Sequence, residues 1–367
     1  MDIRHPLPEH IHVLRACYND DAPDFVALGG DHSVHVYLIY ESSATLVASF
    51  HVGSRITALA WSSRSVSPSH SDQWIIELAA ASADFGLHLL TRSHHINASE
   101  DIFPFGGGLS GHHGRVNDMT FCGGSTDDSA KYVATVSDDK MLMVWDLHPK
   151  VDAPALQTPT PATSPDPNPP LLQPLAWAVP FPHPLTSVNA HPSASKELIV
   201  SDSRGSIFLT DWRSETNKPS VIELVEPRAL ADIATGAFSN WSGSVSWRRD
   251  SVDIVGATCG PRFAIWDLAK LQGGKPTVTG MSFPEGGHRF RWCQTFPDYF
   301  AISTRSPSKG AVIHVYNYSY VQAEPTVFNI GPRPLRVQDF DFLAMKGIPR
   351  IVAVVERQLI VFYIGVD

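Results

Sequence analysis

One stretch of the sequence contains the residue types of a hydrolytic active site. His112, Ser137 and Asp139 could supply a base, a nucleophile and an orienting carboxylate, and Trp145 follows them. Hydrolases of the elbow type present their nucleophile in a Gly-x-Ser-x-Gly turn, which this sequence lacks. We therefore interpret the four side chains as a buried relay of hydrogen bonds within one sheet, in which each polar group satisfies another. This structural interpretation also accounts for the tryptophan, and we expect no catalytic residues.

Neither a metal nor a nucleotide site is indicated. The 17 histidines include the pairs His94-His95 and His112-His113, but no His-Glu-x-x-His segment occurs. Gly106-Gly107-Gly108 is not followed by the Gly-Lys-Ser/Thr ending of a phosphate-binding loop. The four cysteines lack Cys-x-x-Cys spacing, which favours a reducing compartment: Cys17, Cys122, Cys259 and Cys293. We expect neither metal nor cofactor.

Composition excludes several classes of partner. The 367 residues carry a net charge of −9 and are 43% hydrophobic. An acidic balance argues against nucleic acid as a partner, and the only compact basic cluster is Arg289-Phe290-Arg291. No apolar run approaches the ~18 residues of a membrane span, and no signal peptide is apparent. We expect a protein of the cytosol or nucleus that does not insert into membranes.

Short strands in a repeating pattern must position these residues. Gly111-His112 opens the clearest unit and Trp145-Asp146 closes it, with β-type runs and an Asp turn between them, which is a WD-repeat signature. A single repeat of this kind does not bury its own faces, so others must flank it. Equivalent closing positions recur at Tyr37, Leu90, Trp145, Thr210, Trp266, Tyr316 and Phe362.

Seven repeats predict an all-β fold, a seven-bladed WD40 β-propeller formed by residues 1–367 as a single domain. Apolar alternation predicts inner strands at 56–61, 116–121 and 185–192. Between Pro154 and Pro174 lie eight prolines in 21 residues, so we expect a Pro-rich insertion over 150–183, between repeats three and four. Whether residues near His10 to Tyr18 close the last blade stays open.

Several segments resemble one family of WD-repeat proteins. Phe50 to Ser62, Ala81-Ser82-Ala83-Asp84 and Phe290-Arg291-Trp292, together with the Gly111-His112 repeat, are similar to the thirty-seven-kilodalton WD-repeat nucleoporin family of the Y-shaped outer-ring complex. The resemblance implies a non-catalytic scaffold at the nuclear pore and nuclear envelope. It further implies docking on the long helical arm nucleoporin of the Y complex. The long proline-rich segment indicates a fungal-type member.

A second class of function remains open. WD-repeat substrate adaptors of cullin-type ubiquitin ligases often end a repeat in Trp-Asp-x-Arg, and Thr210-Asp211-Trp212-Arg213 comes close without the leading aromatic. For either class, exposed Trp, Tyr and Arg would be the natural contact residues. Phe290-Arg291-Trp292 and Trp241 are candidates, but the sequence does not identify the partner-binding residues.

Overall fold

Seven four-stranded antiparallel sheets form the protein. The computed structural model describes residues 2–95, 99–124, 126, 128–148, 174–213, 220–235 and 243–365. The sheets are arranged as the blades of a seven-bladed β-propeller, so the predicted all-β fold class is confirmed. The first strands of neighbouring blades contact one another around the axis. We number the strands β1 to β28 along the chain and give each blade from its inner to its outer strand.

The first four blades follow directly in sequence. Blade 1 consists of β2 (Ile11–Ala16), β3 (Phe25–Gly30), β4 (Ser33–Ile39) and β5 (Ala44–His51). Blade 2 consists of β6 (Ile56–Trp61), β7 (Ile75–Ser82), β8 (Leu87–Ser93) and β9 (Asp101–Gly106). Blade 3 consists of β10 (Val116–Phe121), β11 (Tyr132–Ser137), β12 (Met141–Asp146) and β13 (Leu175–Pro180). Blade 4 consists of β14 (Leu185–Ala190), β15 (Glu197–Asp202), β16 (Ile207–Asp211) and β17 (Ser220–Leu224).

The last three blades complete the ring. Blade 5 consists of β18 (Ser244–Trp247), β19 (Ile254–Cys259), β20 (Arg262–Asp267) and β21 (Val278–Met281). Blade 6 consists of β22 (Arg289–Trp292), β23 (Tyr299–Ser303), β24 (Ala311–Asn317) and β25 (Thr326–Gly331). Blade 7 consists of β26 (Asp339–Phe342), β27 (Arg350–Val355), β28 (Gln358–Tyr363) and β1 (Ile3–Pro6).

The repeat pattern located most of these strands. All seven closing positions read from the sequence lie in the third strand of a blade, and the three predicted inner strands are β6, β10 and β14. This agreement follows from burial, since the third strands are packed between neighbouring blades and are largely apolar. The described residues also include one α-helix, α1 (Pro227–Ala234), between blades 4 and 5.

Two expectations need correction. The insertion expected over 150–183 is too long, because Leu175–Pro180 form the outer strand β13. Five of these six residues are exposed, so the strand lacks the apolar alternation of a buried one. Residues 149–173 lie outside the described part of the chain. The sequence also showed no helix, because the eight residues of α1 are shorter than the window over which a helical period is recognisable.

The ring closes by pairing the two ends of the chain. β1 is the outer strand of blade 7 and pairs antiparallel with β28, with Ile3 opposite Val361 and Pro6 opposite Gln358. The residues near His10 to Tyr18, which the sequence left open, instead contain β2, the inner strand of blade 1. Blade 7 therefore combines strands from both ends of the described chain, and this pairing ties the last blade to the first.

The core is divided among the junctions between blades. Seven clusters of buried apolar side chains occur, and each combines residues of two adjacent blades. The junction of blades 7 and 1 contains Ile3, Leu14, Val352 and Val361, for example. Because every sheet contributes one face to each of two junctions, no blade buries its apolar surface alone.

Ring closure gives a stability prediction. Ile3 is 6% exposed, so an Ile3→Asp variant places a carboxylate in the junction of blades 7 and 1. We expect the free energy of unfolding to fall by about 3 kcal/mol, from lost apolar burial and from the buried charge. Arg4→Ala, at an exposed position of the same strand, should change it by less than ~1 kcal/mol. Urea unfolding followed by tryptophan fluorescence measures both, and equal effects would contradict the closure.

Candidate functional site

The predicted relay lies within blade 3. His112 precedes β10, and its Nδ1 lies 2.9 Å from Oδ2 of Asp139, in the turn between β11 and β12. Its Nε2 lies 2.8 Å from Oγ1 of Thr135 on β11. The indole Nε1–H of Trp145 on β12 donates to the same hydroxyl at 3.0 Å. Imidazole, hydroxyl, carboxylate and indole thus form one continuous network across the blade.

Ser137 is not the hydroxyl that joins the two rings. Its Oγ accepts the backbone N–H of Asp139 at 3.2 Å, within the turn. Thr135 and Ser137 project from the same face of β11 because they are two residues apart. Trp145 is paired opposite Val133, so Thr135 is the nearer of the two to the indole. Residue spacing therefore identified the correct face of the strand but the wrong position along it.

The relay has no free proton acceptor on its imidazole. Burial lowers the pKa of His112, and the hydrogen bond from its ring to Asp139 opposes that shift only in part. The ring is therefore neutral at pH 7, and the network fits the tautomer in which Nδ1–H donates to Asp139 and Nε2 accepts from Thr135. Both nitrogens are then occupied, which favours a structural role over general-base chemistry.

A second polar network, the axial network, lies where the inner strands meet. It consists of six side chains, namely Arg15, Asp118, Arg289, Arg291, Asp339 and Asp341. Nη2 of Arg15 lies 2.6 Å from Oδ1 of Asp118, and its Nη1 lies 3.2 Å from Oδ2 of Asp339. Nε of Arg291 lies 3.6 Å from Oδ1 of Asp341. These contacts connect blades 1, 3, 6 and 7 across the axis.

The charges in the axial network depend on one another. Burial would raise the pKa of Asp118, but the guanidinium groups of Arg15, Arg289 and Arg291 together outweigh it and lower that pKa below its ordinary value. The pKa of Asp339 is lowered in the same way, chiefly by Arg289 against the effect of burial. Burial keeps the pKa of Asp341 raised. The facing arginines therefore favour the ionised forms of Asp118 and Asp339 in the interior.

An exposed apolar strip, the rim strip, lies on the outer strands of blades 3 and 4. Leu175 and Trp177 of β13 are 60% and 42% exposed, and Val221 and Ile222 of β17 are 44% and 46% exposed. The Trp177 ring contacts Trp212 of blade 4, with ring centroids 5.1 Å apart. Exposed tryptophan and aliphatic side chains on edge strands are typical of surfaces that bind other proteins.

The Asp211-Trp212-Arg213 turn of blade 4 contacts residues of blade 3. Oδ1 of Asp211 accepts the backbone N–H of Arg213 at 2.9 Å. The Arg213 guanidinium lies 4.1 Å from the ring centroid of Tyr132 and 3.2 Å from Oδ2 of Asp128. These contacts explain the Asp-x-Arg pattern as part of the junction between blades 3 and 4.

The other sequence candidates fall into two groups. Phe290 and Trp292 are buried in the junction of blades 5 and 6, and Arg291 belongs to the axial network, so none of them is a surface contact residue. Trp241 lies outside the described residues. Within the part of the chain that the structure describes, no three His, Cys, Asp or Glu side chains form a metal-binding group. No helix there is long and apolar enough to cross a membrane.

Comparison with known proteins identifies the fold alone. No protein-family model and no curated protein matches the chain by sequence. Among 1049 matching chains of solved structures is the crystal structure of Chaetomium thermophilum Raptor, at a TM-score of 0.66 and 12% identity. The match covers 100% of this chain but 29% of that one.

The relay predicts unequal effects of its two hydroxyl residues. Thr135→Val keeps the shape of the side chain but leaves His112 and Trp145 without their shared partner, so we expect a loss of about 2–4 kcal/mol in unfolding free energy. Ser137→Ala should cost about 1 kcal/mol, since one turn hydrogen bond is lost. Chemical denaturation measures the unfolding free energy of both variants. A larger loss for Ser137→Ala than for Thr135→Val would mean that Ser137 is the hydroxyl of the relay.

The axial network predicts a stability loss that depends on pH. Arg15→Met leaves Asp118 and Asp339 buried without their shared cation, and we expect a cost of about 3–5 kcal/mol at pH 7.5. The folded-state pKa of Asp118 would then rise relative to the wild type, because Arg15 is its largest opposing charge, so the variant should regain stability relative to the wild type as pH falls towards 5. Lys270→Ala, which removes an exposed pair with Asp267, should leave the free energy of unfolding nearly unchanged at either pH. A pH-independent deficit in Arg15→Met would contradict this origin.

Proposed function

We propose that this protein is a non-catalytic scaffold subunit of the nuclear pore. In this proposal it belongs to the Y-shaped outer-ring complex and docks on the long helical arm nucleoporin, through which it joins the other Y-complex subunits. It acts at the nuclear envelope, where it supports pore assembly and the transport of protein and mRNA. The sequence segments that resemble the thirty-seven-kilodalton nucleoporin family support this partner.

The rim strip is the observation that carries the scaffold proposal. Its four side chains are exposed apolar residues on outer strands whose free edges face away from the ring. A rigid ring presents such a strip without rearrangement, so little conformational entropy is lost when a partner binds. A helical arm with an apolar face is a partner that matches exposed apolar side chains of this kind.

The chemistry of the interior supports a role without catalysis. The imidazole of His112 is neutral and has both nitrogens engaged, and the axial carboxylates are paired with arginines. Groups satisfied in this way hold strands together but are not poised to exchange protons with a substrate. The proposal therefore assigns the polar interior to architecture and the outer surface to function.

Affinity purification of the tagged full chain from its native cells tests the proposal. We expect the Y-complex members to be recovered at moderate salt and identified by mass. The double variant Leu175→Glu with Ile222→Glu should lose this recovery by about tenfold or more, because two charges would be desolvated in the interface. Val327→Glu is the matched control, since Val327 is 56% exposed on the outer strand of blade 6.

Other recoveries would contradict the proposal in different ways. Y-complex members retained equally by the double variant would remove the rim strip as the docking surface. Cullin-ligase components recovered without nucleoporins would establish the substrate-adaptor alternative. Arg213→Lys, which keeps the charge but not the planar guanidinium, would then show whether the Asp211 to Arg213 turn makes that contact.

A further inference from the structure

A recess, the entry mouth, opens at the end of the axis where the inner strands begin. Its volume is about 270 Å³, close to the lower end of the ~300–1,000 Å³ typical of small-ligand pockets. The walls come from the first residues of the inner strands of blades 1 to 6 and from turns between second and third strands. The charged or titratable lining residues are His12, Arg115, Asp138, His288, Arg289 and Arg305.

Positive charge exceeds negative charge in this recess. Three of the lining residues are arginines, and the single carboxylate, Asp138, accepts a hydrogen bond from Nδ2 of Asn117 at 2.7 Å. Neither Arg115 nor Arg305 forms an ion pair with any residue that the structure describes, and His12 is paired with Asp31. The chain as a whole carries −9, so the arginines are concentrated here against the overall charge.

Two buried nitrogens in the wall have no hydrogen-bond partner within the described residues. His288 and Arg289 are 4% and 7% exposed, and the unpartnered atoms are Nδ1 of His288 and Nε of Arg289. Nε of Arg289 lies 3.2 Å from Oδ1 of Asp339 without the geometry of a hydrogen bond. Buried polar atoms are rarely left unsatisfied, so these two require an explanation.

The arginines also raise each other's electrostatic energy. Enclosure in the recess, together with the neighbouring charges of Arg289 and Arg115, lowers the pKa of Arg305 to about 10 against the pull of Asp339. Arg305 is still protonated at neutral pH. Like charges held together in a recess focus a positive potential into it, which attracts anions.

We propose that the entry mouth binds a small anion that carries phosphate-type groups. Guanidinium groups match the oxygens of phosphate through paired hydrogen bonds, and three of them around one compact recess favour a multiply charged ligand. Arg115 and Arg305 contact the anion from opposite sides of the recess, on blades 3 and 6, while Arg289 and His288 form its wall. This inference concerns a different surface from the rim strip and does not depend on the proposed docking partner.

Isothermal titration calorimetry of the full chain with inorganic pyrophosphate at low ionic strength tests the inference. We expect saturable one-to-one binding that weakens as salt is added. Arg115→Ala and Arg305→Ala should each weaken binding by about tenfold, and Arg305→Lys should weaken it less. Arg228→Ala is the matched control, because Arg228 is exposed on α1 away from the recess. Circular dichroism establishes that each variant is folded.

A second titration separates two sources of the phosphate group. A short phosphoserine peptide and its unphosphorylated form are compared with pyrophosphate on the same protein. Binding of pyrophosphate alone assigns the site to free small anions, and binding of both assigns it also to protein-borne phosphate. The inference is overturned if neither pyrophosphate nor the phosphoserine peptide binds at millimolar concentration. The inference is also overturned if pyrophosphate binds equally well to Arg115→Ala, Arg305→Ala and Arg228→Ala, because the site would then lie elsewhere.

Discussion

Every blade of this protein depends on burial of both faces of its sheet by its neighbours. The seven apolar clusters lie between blades, so the core is a ring of junctions without a single centre. A ring of this kind is complete only when the last junction forms. The pairing of β1 with β28 therefore has consequences for all blades, since it fixes the junction on which closure depends. Closure also leaves only outer edges exposed, and these are the surfaces available to partners.

Polar side chains complement this apolar ring where strands come too close for bulky packing. At the axis, Arg15 joins inner strands from different blades through buried carboxylates. Within blade 3, the hydroxyl of Thr135 joins an imidazole and an indole. Buried networks of this kind hold their elements in one arrangement because any displacement leaves a charge or a donor unsatisfied. The same axis ends in a recess whose arginines are not fully paired.

The sequence predicted the architecture more accurately than it predicted individual contacts. The Gly111-His112 and Trp145-Asp146 pairs identified the repeat, and the period located all seven third strands. Ser137 was chosen over Thr135 because spacing alone defines a face of a strand but not which residue on that face meets the indole. The outer strand β13 was missed because its residues are exposed and its neighbours along the chain are rich in proline.

By itself, therefore, the sequence determined the fold class, the number of blades and the members His112, Asp139 and Trp145 of the relay. These properties follow from local patterns that repeat along the chain, namely the alternation of apolar residues, the turn residues and the spacing of the repeats. Only the tertiary structure decided that Ile3–Pro6 close the ring, that Arg15 and Asp339 meet at the axis, and that Arg115 and Arg305 share a recess. The physical reason is that these contacts join residues far apart in sequence, which become neighbours only once seven sheets have packed around one axis.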